Sequence, residues 1–480
     1  MTGLFGVLVA LGLLILLAYR GFSVLLLGPV MALFAVAFAA GMPLMASYTQ
    51  VFMPAAGGFV VQYFPLFLLG AIFGKLMEDS GGAEAIALGI VRRLGEGHAM
   101  LAVVLACAVL TYGGVSLFVV AFAVYPIAAA LFRQADIPKR LVPATIALGA
   151  FTFTMTALPG TPAIQNAIPM PYFGTTPFAA PGLGVIASVL MFVLGQGWLL
   201  QRAGRARRAG EGYGAGRART RGADTGSSAA ESRAETPAGA GGAQAALPPF
   251  GLALVPIVVV ILLNYVFSAL LIPALDTGYL ADPRFGATTV DGVRGVWAII
   301  GSLTVACLIL IALNRRRLSG VKRSLDDGAA ASVMPIFNTA SLVGFGAVIA
   351  GLPAFGLIKD FVEGLGGGNP LISLALAVNL LAGVTGSASG GMSIALQTLA
   401  AEYLEIARST GVSTEALHRV TTVATGGLDS LPHNGAVVTL LGICGLTHRQ
   451  AYLDIFMVAV VVPIVALAVI VALAIFVGTF

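Results

Sequence analysis

Charge is what this sequence lacks most. Only 10% of its 480 residues are Asp, Glu, Lys or Arg, against about a quarter in soluble domains. With a mean hydropathy of +0.97 and repeated apolar runs of about 17–25 residues, this excludes a soluble globular chain. Segments of about ten residues alternating apolar and polar are also missing, which argues against a β-barrel. The chain reads as an all-α polytopic membrane protein. Cysteine is scarce: Cys107, Cys307 and Cys444 stand alone in apolar runs and read as packing residues, not as a disulfide or a metal site. No cofactor is expected. No cleavable leader is expected either, because the first apolar run has no basic flank before it and no small-residue cleavage site after it. The net charge of +5 lies in loops, where it sets topology, so no nucleic-acid partner is implied.

What is present falls into two similar halves. The first, residues 1–200, reads as spans at 3–19, 22–41 and 59–79, with a loop from Pro43 to Gly58. A short interfacial helix follows at 83–94. Ala99 to Arg133 is too long for one span and too short for two, so it reads as a re-entrant hairpin with Thr111–Ser116 at its tip. A span at 141–170 is broken at Leu158–Pro162, and another span covers 181–200. Residues 201–247 are rich in Arg, Ala, Gly and Ser, with no apolar period, and read as a disordered linker. The second half, 248–480, repeats the order. It has spans at 249–272, 294–313 and 330–352, an amphipathic piece at 355–365 and a hairpin at 370–406 with its tip at Thr385–Gly391. A span at 417–446, broken at Asp429–Gly435, and a last span at 452–478 complete it.

Charge places the linker in the cytoplasm. Arg20, Arg92, Arg93, Arg133, Lys139, Arg140, Arg315–Arg323 and Arg449 then fall on the same side, and the acidic loop 273–293 falls outside. Each half has five crossings, since a hairpin does not cross. An odd number inverts the halves: two inverted-topology repeats, each with five spans, one re-entrant hairpin and one broken helix. Both termini are expected outside.

Interrupted helices at matching places in inverted repeats point to a secondary transporter. A break frees backbone N–H groups that can hold an anion, and hydroxyls add donors. The substrate-binding candidates are Gly114, Ser116, Thr161, Asn166, Thr385, Ser387, Ser389, Gly390 and Asn434. No lysine or arginine reads as deep in a span, so a carboxylate would be held by dipoles and hydroxyls. Asp429 is the one acid read as deep, at a cost of roughly 2.5–3.5 kcal/mol if ionised there. It is the candidate coupling residue, with His433 as partner. Helix capping is the alternative for Asp429, and a structural role the alternative for His433. His98, His418 and His448 read as loop residues, and Trp198 and Trp297 as interfacial aromatics.

The stretch Gly383-Val384-Thr385-Gly386-Ser387-Ala388-Ser389-Gly390-Gly391-Met392, with Leu428–Ala436 and Gly445-Leu446-Thr447-His448, resembles the gluconate:proton symporter (GntP) family. It looks closest to the 3-hydroxybutyrate permease-like branch. The first-half match, Tyr112–Ser116 and Pro159–Pro162, is looser. The resemblance implies a multi-pass bacterial inner-membrane symporter of the wider ion-transporter superfamily. It implies proton-driven uptake of a small hydroxylated monocarboxylate and a homodimer in the lipid bilayer. The residues at 429–434 depart from the sugar-acid transporters, which favours a smaller substrate such as 3-hydroxybutyrate.

Three rivals remain. Oxygen ligands at the tips could coordinate sodium in place of protons. An intramembrane serine hydrolase would use Ser389 as nucleophile and His433 as base, but it needs no matched breaks and the Gly-x-Ser-x-Gly elbow is absent. An ion channel is disfavoured by the repeat and by the lack of charge rings.

Overall fold

A computed structural model describes all residues except 1, 21, 40, 215–246, 319, 358–368 and 433. Among the described residues the chain is all-helical, without a strand, and seven helices are long and apolar enough to cross a membrane. It is a polytopic membrane protein.

The first half runs through α1 (Thr2–Tyr19), α2 (Val24–Ala37), α3 (Leu44–Asp79) and α4 (Gly82–Leu94). It continues with α5 (Ala99–Tyr112), α6 (Leu117–Gln134), α7 (Val142–Ala150), α8 (Phe153–Thr156), α9 (Ile164–Ala167), α10 (Pro169–Phe173) and α11 (Pro181–Arg208). The second contains α12 (Phe250–Ala274), α13 (Val290–Asn314), α14 (Val321–Ala350), α15 (Pro370–Thr385) and α16 (Ala388–Thr410). After these come α17 (Thr414–Thr425), α18 (Gly435–Cys444) and α19 (His448–Phe476). Both hairpin segments are helix pairs joined by a short glycine-bearing turn. The second broken span is interrupted where glycine and proline cluster, whereas the first is interrupted already at Phe151–Thr152 and again across Leu158–Pro162.

Two boundaries differ from the sequence reading. The expected loop Pro43–Gly58 is helical, because α3 starts at Leu44 and passes through a π-helical turn at Ser47–Phe52. In a bilayer the backbone must satisfy itself, which overrides the glycines and Pro54 there. The linker also begins later, since α11 runs on to Arg208. Residues 215–246 of it, and most of the expected amphipathic piece at 355–365, lie outside the described residues.

The centre is the pair α3 and α14. Gly328 lies against Ile72 and Gly344 against Phe52, so the two helices run antiparallel along their length. α2 packs on α14 as α13 packs on α3. Ser341 on α14 donates its hydroxyl to the carbonyls of Val24 and Leu25 at 3.3 and 3.0 Å. Hairpin α5–α6 packs on α7, and hairpin α15–α16 on α17. Each hairpin also reaches the other half: α6 touches α18, and α16 touches α9 and α10.

Charged and loop residues sort to two ends. At one, Asp79 accepts from Ser324 at 2.6 Å, Arg93 stacks on Phe250, and Arg140 joins Glu211 and Asp454. At the other, the Ala180 amide donates to Glu415 and the Gly182 amide to the Phe480 carbonyl.

Candidate functional site

The second break is assembled on one asparagine. The side chain of Asn434 caps α18, its Oδ1 accepting from the amides of Ala436 (2.6 Å) and Val437 (3.2 Å). This is the usual role of Asn before a helix. Its Nδ2 donates to the carbonyl of Gly386 in the hairpin tip (3.0 Å) and to that of Asp429 (2.7 Å). One residue therefore holds helix, break and tip together. Leu428 donates its amide to Asn379 on α15 at 3.3 Å, a second stitch between break and hairpin. The carboxyl of Asp429 is 4% exposed and accepts from the Ser430 hydroxyl at 3.1 Å. Tyr452 on α19 donates to the Ser430 carbonyl at 3.1 Å. His433 lies outside the described residues.

The tip between α15 and α16 has the same economy. Gly386 takes φ +61°, a conformation that suits glycine. Gly391 lies so close to the backbone of Leu381 and Ala382 that a Cβ would collide with it. Ser387 caps α16 by accepting from the Gly390 amide at 3.1 Å. The Thr385 hydroxyl is turned back to the Leu381 carbonyl at 2.8 Å. Ser389 meets Ser387 at 3.5 Å and Thr339 of α14 at 3.3 Å.

The first half builds its break differently. Tyr112, at the end of α5, donates to the Pro159 carbonyl at 2.7 Å. Gly114, at φ +92°, abuts Pro162. Ser116 precedes α6 without a side-chain cap bond. Thr161 is buried, its hydroxyl accepting from the Ala163 amide at 3.3 Å. Asn166 donates to the carbonyls of Thr161 (3.0 Å) and Pro177 (2.9 Å).

Here two residues of the second half enter that the sequence reading placed elsewhere. His418 and Arg419 on α17 are wholly buried. Arg419 donates to the carbonyls of Ala179 (2.7 and 3.0 Å), Ala157 (3.2 Å) and Pro177 (3.4 Å), and to Asn166 Oδ1 (3.3 Å). A break leaves such carbonyls without helical partners, and a buried guanidinium needs acceptors for its five N–H groups. His418 Nε2 lies 3.2 Å from Asn166 Oδ1, and its Nδ1 lies 2.6 Å from the Thr175 hydroxyl. Because Oδ1 can only accept, Nε2 carries the proton, and in the neutral ring Nδ1 accepts from Thr175.

Three expectations are thus corrected. His418 is no loop residue, and an arginine does sit inside a broken span. A second buried acid lies at the linker end: Asp454 is 1% exposed. It accepts from Arg140 (2.9 Å), Arg202 (2.7 Å) and the Trp198 indole (3.1 Å), so Trp198 is more than an interfacial aromatic. One signal was available. Lys139-Arg140 and His418-Arg419 stand at matching places, each at the start of a broken span.

The candidates therefore gather as two stitched units, tip with break in each half, joined where Gly426 meets Thr156 and where Asn166 meets α17. Among the described residues no His/Cys/Asp/Glu group could hold a metal ion. The three cysteines are free and buried.

The sequence profile of the GntP family permeases matches residues 2–310. An uncharacterized transporter, YxjC, of Bacillus subtilis (strain 168) is 42% identical over 479 residues, 97% of each chain. A gluconate permease of Bacillus licheniformis is 34% identical over 137 residues, 28% of this chain and 30% of that one. The gluconate permease of Bacillus subtilis (strain 168) is 39% identical over 85 residues, 18% of each.

Proposed function

The chain belongs to the GntP permease family, and from that premise we propose that it is a secondary active transporter taking up a small hydroxylated monocarboxylate by proton symport. Gluconate and 3-hydroxybutyrate bound the substrate class. The observation that carries the reading is Asp429. Its carboxyl is buried in the second break, and the Asn434 side chain ties that break directly to a hairpin tip. A carboxylate substrate enters an interior-negative cell against about 2.3 kcal/mol per charge per 100 mV. A proton taken up by Asp429 and carried with the anion cancels that cost.

The tips and breaks would hold the anion with backbone N–H groups and with hydroxyls such as Ser389 and Ser116. Asn166, Asn434 and Thr385 are engaged with backbone and would act by fixing that geometry. The antiparallel central pair, and hairpins that reach across to the opposite half, favour two inverted repeats with re-entrant hairpins. The linker then faces the cytoplasm and both termini face outward. A homodimer in the bacterial inner membrane completes the proposal.

The test is uptake of labelled gluconate and 3-hydroxybutyrate into proteoliposomes. An inward pH gradient should drive accumulation, and collapsing it should abolish accumulation. Accumulation that ignores the pH gradient but disappears when choline replaces sodium would transfer the coupling to sodium. No uptake of either acid under any gradient would sink the reading.

A further inference from the structure

A cavity of about 290 Å³ lies between the middle of α3, the end of α10 and the middle of α16. Its polar lining is Gln62, Tyr172 and Gln397, and among its described lining residues none is charged. Both glutamines are exposed at the surface of their helices. Tyr63 donates to the Ile168 carbonyl at 3.0 Å, which fixes the α3 wall against the segment carrying Tyr172. Its α3 wall, Pro54 to Gln62, lies about 25 Å of helix before Asp79, and just beyond Asp79 Gly81 packs on Leu247.

From Gln397 a polar track runs along α16 to the hairpin tip. Gln397, Ser393 and Ser389 are spaced by four residues, hence on one face and over about 12 Å. Ser393 is 1% exposed and its hydroxyl has no hydrogen-bond partner. A buried hydroxyl left unpaired costs about 1–3 kcal/mol, so its retention needs a reason, and a transient partner supplies one.

We propose that this cavity is the outer vestibule of the transport path, where Gln62, Tyr172 and Gln397 bind the hydroxyl groups of the substrate before Ser393 passes it to Ser389 at the tip. The proposal rests on the transporter reading above. Carboxamides suit this task, because each offers two donors and an acceptor without charge. The vestibule thus selects for hydroxylation and leaves the carboxylate to the tips.

The experiment uses the full chain in proteoliposomes, with Gln397→Cys and Ser393→Cys probed by a membrane-impermeant maleimide from the face opposite the linker. Both cysteines should label, and saturating substrate should slow labelling several-fold. Gln62→Leu and Gln397→Leu should each raise KM roughly tenfold, the loss of about 1.4 kcal/mol, with maximal rate nearly unchanged. Wild-type uptake with no labelling from that face would overturn the vestibule. So would labelling that substrate does not slow, together with an unchanged KM in the double leucine variant, which would mark a lipid-filled recess. Failure of the wild-type chain to transport either acid strikes the transporter reading instead.

Discussion

A guanidinium with no access to water must find every acceptor within the protein, and Arg419 finds carbonyls of the first break, at Ala157, and of the loop before α11, at Pro177 and Ala179. Lysine in its place offers a compact charge on a flexible stem and cannot span Ala157 and Ala179 together. Arg419→Lys should therefore lower the stability of the purified protein by about 3 kcal/mol, measured by thermal unfolding in detergent. If the variant is as stable as wild type but its KM rises, Arg419 is a substrate ligand. Asp429→Asn asks the complementary question. It keeps the shape and removes the titration, so proton-driven accumulation should be lost while substrate exchange across the membrane survives. Equal loss of both would make Asp429 a binding or capping residue and not the proton carrier. Of these two groups only Asp429 was legible in the sequence. An acid inside an apolar run is conspicuous, whereas His418-Arg419 lies just after Ser413-Thr414-Glu415 and looks like the rim of a span. Its burial depends on carbonyls from a loop some 240 residues away, and no local pattern records that.

At the scale of elements the breaks and tips were legible because glycine, proline and polar residues interrupt apolar runs, and a bilayer tolerates such interruptions only inside protein. The element ends were less so. Pro43, Pro54 and paired glycines suggested a loop where α3 already runs; Pro54 lies just past the π-helical segment Ser47–Phe52, a local irregularity of a helix that continues through it. Nor could the sequence show that one side chain would join α18 to the neighbouring hairpin. Asn434→Asp separates the two jobs of that residue. Aspartate keeps the cap on Ala436 and Val437 but replaces a donor by an acceptor facing the carbonyls of Gly386 and Asp429. Transport should fall at least tenfold while α18 stays formed. Asn434→Ala should lose the cap as well and destabilise the protein by a further ~1 kcal/mol. Wild-type transport by Asn434→Asp would show that tip and break need not be joined.

Across the whole molecule, the order of elements follows from apolar run lengths, and the proposed inversion of the halves follows from where basic residues collect. What fastens the halves to each other at the linker end did not follow. Asp454 belongs to the last span, yet it is held by Arg140 from the first broken span and by Arg202 and Trp198 from α11. Arg140 in turn grips Glu211 at 2.7 Å, and the Tyr213 amide donates to Asp136 at the base of the first hairpin. The start of the linker is thereby strapped under the helices that an alternating-access cycle would have to move. Removing a single member of such a buried cluster strands its partners, at about 3–5 kcal/mol. Asp454→Asn should accordingly destabilise the wild type severely. In an Arg140→Gln, Arg202→Gln background the same change should cost much less, because the stranded charges are gone. A thermal-unfolding cycle over these variants reads the difference directly. Additive losses would mean that the arginines and Asp454 act separately and that the halves are joined elsewhere.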